Sequence, residues 1–282
     1  MINFTKRPRS ELWFKINDDN SIVTSTKWKD ILSYNFKLDD NFWFKTHNNN
    51  YLFNLDKLSE EELDEIQLFF NDINQFIWLG LNNHIKNYFN DDNILDYCVA
   101  TDFNFNFDDG TRTISGEAEF SLKYRRSEIS DEEAEHYGNV LVDKIKECYN
   151  ILPINQKDAY FTTIPIDIDE NENNKLSFKL VKRLSYILNN NLFILKCHKP
   201  SFKDKTLNEK INIWNEIYSD TSKFKFIGKV DIIDKNVIII DDLYQSGVSM
   251  WSYAKFLKSL GAKRVIGISA VKSLRDSDNT NV

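Results

Sequence analysis

Two adjacent carboxylates, Asp241 and Asp242, follow four aliphatic residues in the string VIIIDDLYQSGVS, residues 237–249. Carboxylates accept hydrogen bonds from paired hydroxyls, and neighbours on a strand point to opposite faces, so two acids in succession can reach one ligand from two sides. Ser246 and Ser249 add hydroxyl donors, and Gly247 is free to take positive φ or to let a ligand approach the backbone. An amphipathic run follows at once, and a helix N-terminus offers unpaired amides and a positive dipole end, both suited to phosphate. Each donor to a charged group is worth about 1.5–3 kcal/mol. The string therefore predicts a grip on a sugar diol and its phosphate. Asp241 and Asp242 take the hydroxyls, while Tyr244, Gln245, Ser246, Gly247, Val248 and Ser249 form the phosphate turn. An acidic helix cap would explain two acids but not the whole thirteen-residue string.

These residues need a rigid rim to stand on. From about residue 155 strands and helices alternate, the pattern of a parallel sheet with crossover helices. Strands are predicted at 159–166, 192–197, 236–241 and 264–271, with helices at 176–188, from a Thr206–Glu209 capping box, and from about Ser249 to Leu260, stopped by Gly261. In such folds ligands bind at the carboxyl ends of the strands. Earlier in the chain, Ser59–Glu62 and Ser130–Glu133 are capping boxes opening helices. Leu63, Ile66, Phe70, Ile73 and Ile77 continue the first at helical spacing. The alternation in 102–107, the turn Asp108-Asp109-Gly110 and the run 113–125 read as paired strands.

Other acid-ended strands are excluded by what is missing. There is no GxxxxGK[ST] anywhere in the chain, so the acids are not the second motif of a P-loop ATPase. In a receiver domain the acidic pair lies on an early strand, and too little chain follows Asp241 here for that.

The string resembles the phosphoribosyl-pyrophosphate motif of the type I phosphoribosyltransferases. Asp241 and Asp242 match that family's ribose-contacting acids, and Ser246, Gly247 and Ser249 its 5-phosphate loop. Gln245 departs, standing where the family places a small or hydroxylated residue. Upstream the chain resembles the competence-protein-F-like branch: 113–124 its lysine–tyrosine strand, 162–166 its first core strand and pyrophosphate-side turn. Residues 206–215 resemble one of its helices, with Lys210 in place of arginine, and 258–272 its closing helix and strand. Residues 1–100 stand where many such proteins carry a cysteine-rich zinc module.

The resemblance implies an α/β fold, a parallel sheet with flanking helices in a type I phosphoribosyltransferase-like core at 151–276. An α+β region at 1–112, a connecting segment at 113–150 and a disordered tail at 277–282 complete the organisation. It further implies phosphoribosyl pyrophosphate or a nucleotide 5-phosphate as ligand, with Mg2+, and transfer of phosphoribosyl to a base-like acceptor. Departing pyrophosphate needs positive charge, yet 167–174 carries four acids and no base before Lys175. Asp167 could hold Mg2+ there, and the lysine-rich segment 196–205 is a candidate lid, with Lys203 and Lys205 reaching the ligand. The alternative is a catalytically silent sensor or scaffold of the same fold, acting with a protein or DNA partner.

Bulk properties narrow the classes. The chain has 282 residues, 41% hydrophobic, and a net charge of −7, which disfavours a broad phosphate-backbone surface. No apolar run reaches membrane-spanning length and the N-terminus lacks a secretory core. Cys98, Cys148 and Cys197 are dispersed without a CxxC, which predicts a reducing cytoplasm and no disulfide framework. Cys197-His198 lacks partners at zinc spacing.

Overall fold

The computed structural model describes residues 14–16, 21–46, 50–81, 85–89, 94–202, 204–228 and 230–274. The predicted tail at 277–282 and Lys203 lie outside these. The chain begins with β1 (Phe14–Ile16), β2 (Ser21–Thr24), α1 (Thr26–Phe36), β3 (Trp43–Lys45), β4 (Tyr51–Asn54) and α2 (Glu60–Ile73). Its four strands form an antiparallel sheet in the order β1-β2-β4-β3. The Ser59–Glu62 capping box is present, and α2 buries Ile66, Phe70 and Ile73. Ile77, predicted as the next turn of that stripe, instead leaves the helix and enters β5 (Ile77–Trp78).

β6 (Tyr97–Ala100) comes next, followed by α3 (Ile114–Tyr124) and α4 (Asp131–Asn150). Here the structure corrects the sequence reading. The turn at Gly110 exists, with φ of 70°, and Phe105 bridges Arg112, but after Thr113 the chain winds into a helix rather than a strand. Thr113 caps it, its Oγ1 accepting from the Gly116 amide at 2.9 Å. Ser115, Ala118, Glu119 and Leu122 fall at helical spacing on its inner face; the first three are buried and Leu122 is partly so. A helix lets Gly116 touch backbone: an added Cβ there would stand 2.1 Å from the Asn104 carbonyl oxygen.

The alternating half follows the predicted order: β7 (Ala159–Thr163), β8 (Ile166–Asp167), α5 (Leu176–Ile187), β9 (Asn191–Cys197), α6 (Leu207–Ser219), β10 (Lys225–Gly228), β11 (Asn236–Tyr244), α7 (Val248–Ser259) and β12 (Arg264–Lys272). The main sheet runs β10-β9-β7-β11-β12-β6-β5, with β8 beside β9. Its five inner strands, β9, β7, β11, β12 and β6, are mutually parallel, and the outer pairs β10–β9 and β5–β6 are antiparallel. This is an α/β fold built on a parallel sheet with flanking helices. Because β5 and β6 come from the first hundred residues, the sheet extends beyond the 151–276 boundary read from sequence.

Alternation along β11 divides the core. Ile238 and Ile240 join a cluster with Leu141 and Ile145 of α4 and Leu180 and Leu184 of α5. Val237 and Ile239 face Trp214 of α6 and Trp251 and Tyr253 of α7. The crossover through α5 leaves β7 in one direction to β9, whereas α7 carries β11 the other way to β12. The two directions part between β7 and β11, and a crevice outside the carboxyl ends of strands at such a switch point is where α/β sheets bind ligands.

Candidate functional site

β11 is longer than predicted, and that length shapes the rim. Its pairing with β7 ends at Ile240–Thr163, while its pairing with β12 continues to Tyr244–Lys272. Asp241 and Asp242 therefore lie where β11 has outrun β7, both part-exposed. They sit beside the switch-point crevice although still within the strand.

Asp242 pairs with a lysine, and Asp241 feels the field of two, Lys123 and then Lys199. Asp242 Oδ2 lies 2.9 Å from Lys123 Nζ of α3, and the same ammonium stands 3.3 Å from Glu119 Oε1. Burial opposes the Lys123 charge, but the Asp242 and Glu119 carboxylates outweigh it and raise its pKa. Glu119 is buried, which raises its own pKa; Lys123 opposes that rise and Asp242 adds to it. Asp241 Oδ1 accepts from the Asp242 amide at 3.0 Å. Burial, then the adjacent Asp242 charge, holds its pKa well above the usual carboxylate range, against the pull of Lys123 and Lys199. Lys199 is half-buried, and its partial removal from water lowers its pKa despite the attraction of Asp241. Its ammonium lies 5.5 Å from the centre of the Phe202 ring and 5.3 Å from that of Trp214, and donates to the Pro165 carbonyl at 3.4 Å. Pro165 follows β7, so this cation stands beside the carboxyl end of that strand.

The turn after β11 is exposed at Gln245, half-buried at Ser246 and Ser249, and braced from below. Gly247 has φ of 80°, and α7 begins at Val248 with no side-chain cap. Among the described residues the backbone amides of Ser246, Gly247, Val248 and Ser249 carry no hydrogen bond; the first bond of the helix is Trp251 N to Gly247 O at 2.9 Å. Tyr244 and Val248 are buried, so their side chains support the turn rather than line it. Trp251 Nε1 donates to the Tyr244 hydroxyl at 3.2 Å. Ser249 Oγ accepts from Trp214 Nε1 at 3.2 Å, which leaves its own O–H to donate. Gln245 is exposed, and its carbonyl accepts from the fully buried Lys272 at 3.3 Å, an ammonium placed directly beneath the turn.

The loop after β7 is less repulsive than its composition. Glu170 pairs with Lys175 at 2.7 Å, and Glu172 lies 3.3 Å from Lys196, which also donates to the Glu170 carbonyl. Asp167 is held below the usual carboxylate range by the amides of Asp169 and Lys199, at 2.9 and 2.8 Å. With Asp169 and His198 it places three ligand atoms within 4.8 Å of one another. Hard carboxylate oxygens of this kind fit Mg2+ bound through one or two protein groups and a ligand's phosphates. Of the predicted lid, Lys196 is buried, Lys199 is half-buried, Lys205 pairs with Glu209 on the surface at 3.5 Å, and Lys203 is not among the described residues. Lys205 is thus not gathered into the site.

Sequence reasoning did not single out Glu119, Lys123 or Lys272, while Lys199 lay within the lysine-rich segment 196–205 that it did name. The first two carried a legible signal: read at helical rather than alternate spacing, 113–124 puts Glu119 and Lys123 four apart on one face. All three cysteines are free and buried, and among the described residues no helix is long and apolar enough to cross a membrane.

No protein-family model and no curated protein matches this chain. Among solved structures, a hypoxanthine phosphoribosyltransferase from Staphylococcus aureus is similar in two crystal forms, at 13% and 16% identity and TM-scores of 0.30 and 0.28, over 47% of this chain. The match spans 60% of that enzyme's length. A purine phosphoribosyltransferase from Pyrococcus horikoshii is similar at 14% identity and a TM-score of 0.29, over 51% of this chain and 84% of its own. Likenesses of this size carry no argument about chemistry, which rests on the sheet order and the side chains at the rim.

Proposed function

We propose that the switch-point crevice binds a ribose 5-phosphate group, as phosphoribosyl pyrophosphate with Mg2+ or as a nucleotide, in the manner of a type I phosphoribosyltransferase of the competence-protein-F-like branch. One observation carries the reading: four consecutive unbonded amides, over a buried ammonium, stand directly after two part-exposed carboxylates at the crevice. The amides of Ser246, Gly247, Val248 and Ser249 clasp the phosphate. Asp241 and Asp242 accept from the ribose hydroxyls, each carboxylate keeping lone pairs beyond those used by the protein. Lys199 faces the departing pyrophosphate and Asp167 would contribute to a Mg2+ site; the metal, when bound, neutralises phosphate charge. In transfer, the bond from C1 to pyrophosphate oxygen breaks as a base-like nitrogen attacks C1, and pyrophosphate leaves with the bonding pair. Calorimetric titration with phosphoribosyl pyrophosphate and Mg2+ tests the binding: the wild type gives saturable heats and an Asp241→Ala/Asp242→Ala chain gives none. Equal heats from both overturn it.

A second reading is favoured by the Lys123–Asp242 ion pair, which already occupies part of one acid. Under it the chain binds the same ligand without turnover, as a sensor. Pyrophosphate release with mixed purine and pyrimidine bases separates the two: release abolished by Asp242→Asn means an enzyme, and binding without release means a sensor.

A further inference from the structure

One ammonium at the rim serves several carboxyls. Lys123 stands between Glu119 and Asp242, and its field reaches Asp241 as well. Glu119 is 3% exposed, and the ammonium lies 3.3 Å from its Oε1 and 2.9 Å from Asp242 Oδ2, nearer to Asp242. The other charged groups acting on this cluster are Arg112, which acts on Glu119, and Lys199, which acts on Asp241 from the opposite face. Glu119 and Asp242 share a single cation on the α3 face of β11, with Asp241 the next residue on the other face, and this arrangement cannot lose the cation and stay unchanged. Placing like charges this close drives a proton onto the cluster.

We propose that Lys123 is the positioning residue of the diol site: its ammonium, 2.9 Å from Asp242 and 3.3 Å from Glu119, fixes the direction of the Asp242 carboxylate and offsets the like charge of Glu119 beside it. The inference rests on the reading of Asp241 and Asp242 as the ribose grip. Helix α3 lies outside the strand–turn–helix that carries that grip, so the site depends on a segment that its own motif does not contain. Glu119 is the counterweight. It holds the lysine on the α3 side of the crevice, and once the lysine is gone it becomes the nearest unneutralised acid.

Charge counting makes the test specific. Ribose 5-phosphate is titrated calorimetrically from pH 6 to 9 into the wild type, Lys123→Met, Lys123→Arg and Lys123→Met/Glu119→Gln, with thermal melting confirming that each is folded. Lys123→Met is expected to lose about tenfold or more in affinity at pH 7, the scale of one charge-assisted contact no longer holding the Asp242 carboxylate in place. Lys123→Arg keeps the wild-type profile. Removing the counterweight in the double variant restores affinity at pH 7, a rescue that a merely structural lysine would not permit. A Lys123→Met affinity matching the wild type, or a loss shared by Lys123→Arg and untouched by Glu119→Gln, overturns the inference while leaving the diol reading standing. Wild-type protein that gives no heat at any pH overturns the diol reading and this inference with it.

Discussion

Gly247→Ala is the sharpest probe of the turn, because its cost can be read from three contacts. At φ of 80° an alanine occupies a left-handed conformation, which costs about 1–2 kcal/mol. Its Cβ would also stand 2.0 Å from the Tyr244 hydroxyl, 2.5 Å from that ring's Cζ and 3.2 Å from Trp251 Cδ1. Both rings are buried, so Tyr244 must swing and release the Trp251 indole it accepts from. Leaving that N–H unpaired adds about 1–3 kcal/mol, for a total near 2–5 kcal/mol. Urea denaturation, followed through tryptophan fluorescence, measures it. Tyr244→Phe supplies the control, since it removes the 2.0 Å contact and the hydrogen bond together. Gly247→Ala in that background should cost less than in the wild type by about 1 kcal/mol or more. Phosphate affinity falls with Gly247→Ala because the four amides no longer converge. A stability loss under about 0.5 kcal/mol, or costs that add without coupling, would refute the account of the turn.

Other outcomes follow from the same coordinates. Gly116→Ala, a change that favours an isolated helix by about 1 kcal/mol, should destabilise this one, because its Cβ meets the Asn104 carbonyl oxygen at 2.1 Å; a raised melting temperature would contradict the close approach of α3. Thr206→Ala removes the capping box of α6 and should cost about 1 kcal/mol in denaturation without altering ribose 5-phosphate affinity. For Asp241 the folded pKa lies well above 3.8, so folding favours the protonated acid; its contribution is fully present below the unfolded pKa and is lost as pH rises through the folded one. Asp241→Asn should therefore gain stability over the wild type as pH increases, and melting curves from pH 5 to 8 showing a constant or shrinking difference would reject that assignment.

Much of the layout was legible because local signals agreed with the final packing. Capping boxes at Ser59, Ser130 and Thr206 mark three real helix starts, and the buried strand at 237–240 is apolar on both faces because helices cover both. The run 113–125 failed for a physical reason. Its small residues, Ser115, Gly116 and Ala118, carry little hydrophobic signal, and their role is to let α3 approach the backbone closely, which only tertiary contact reveals. The acids and their turn were found as one string since they are contiguous. Lys123 and Lys199 lie 118 and 42 residues from Asp241 in sequence, and only the fold brings their charges to it.

The charge balance at the rim explains why paired acids can persist in a partly buried crevice without a ligand. Carboxyls removed from water are costly unless paired, and like charges side by side are costlier still. β11 answers this by pairing Asp242 with Lys123 of α3, whose field, with that of Lys199, also acts on Asp241. The turn beyond repeats the arrangement with opposite sign, its empty amides lying over Lys272. A ligand with hydroxyls at one end and a phosphate at the other meets both fields at once, whereas a free sugar or free phosphate meets only one. Ribose 5-phosphate should consequently bind more tightly than ribose and inorganic phosphate supplied together at equal concentration. Equal competition by the unlinked pair would show that the acids and the turn do not form one site.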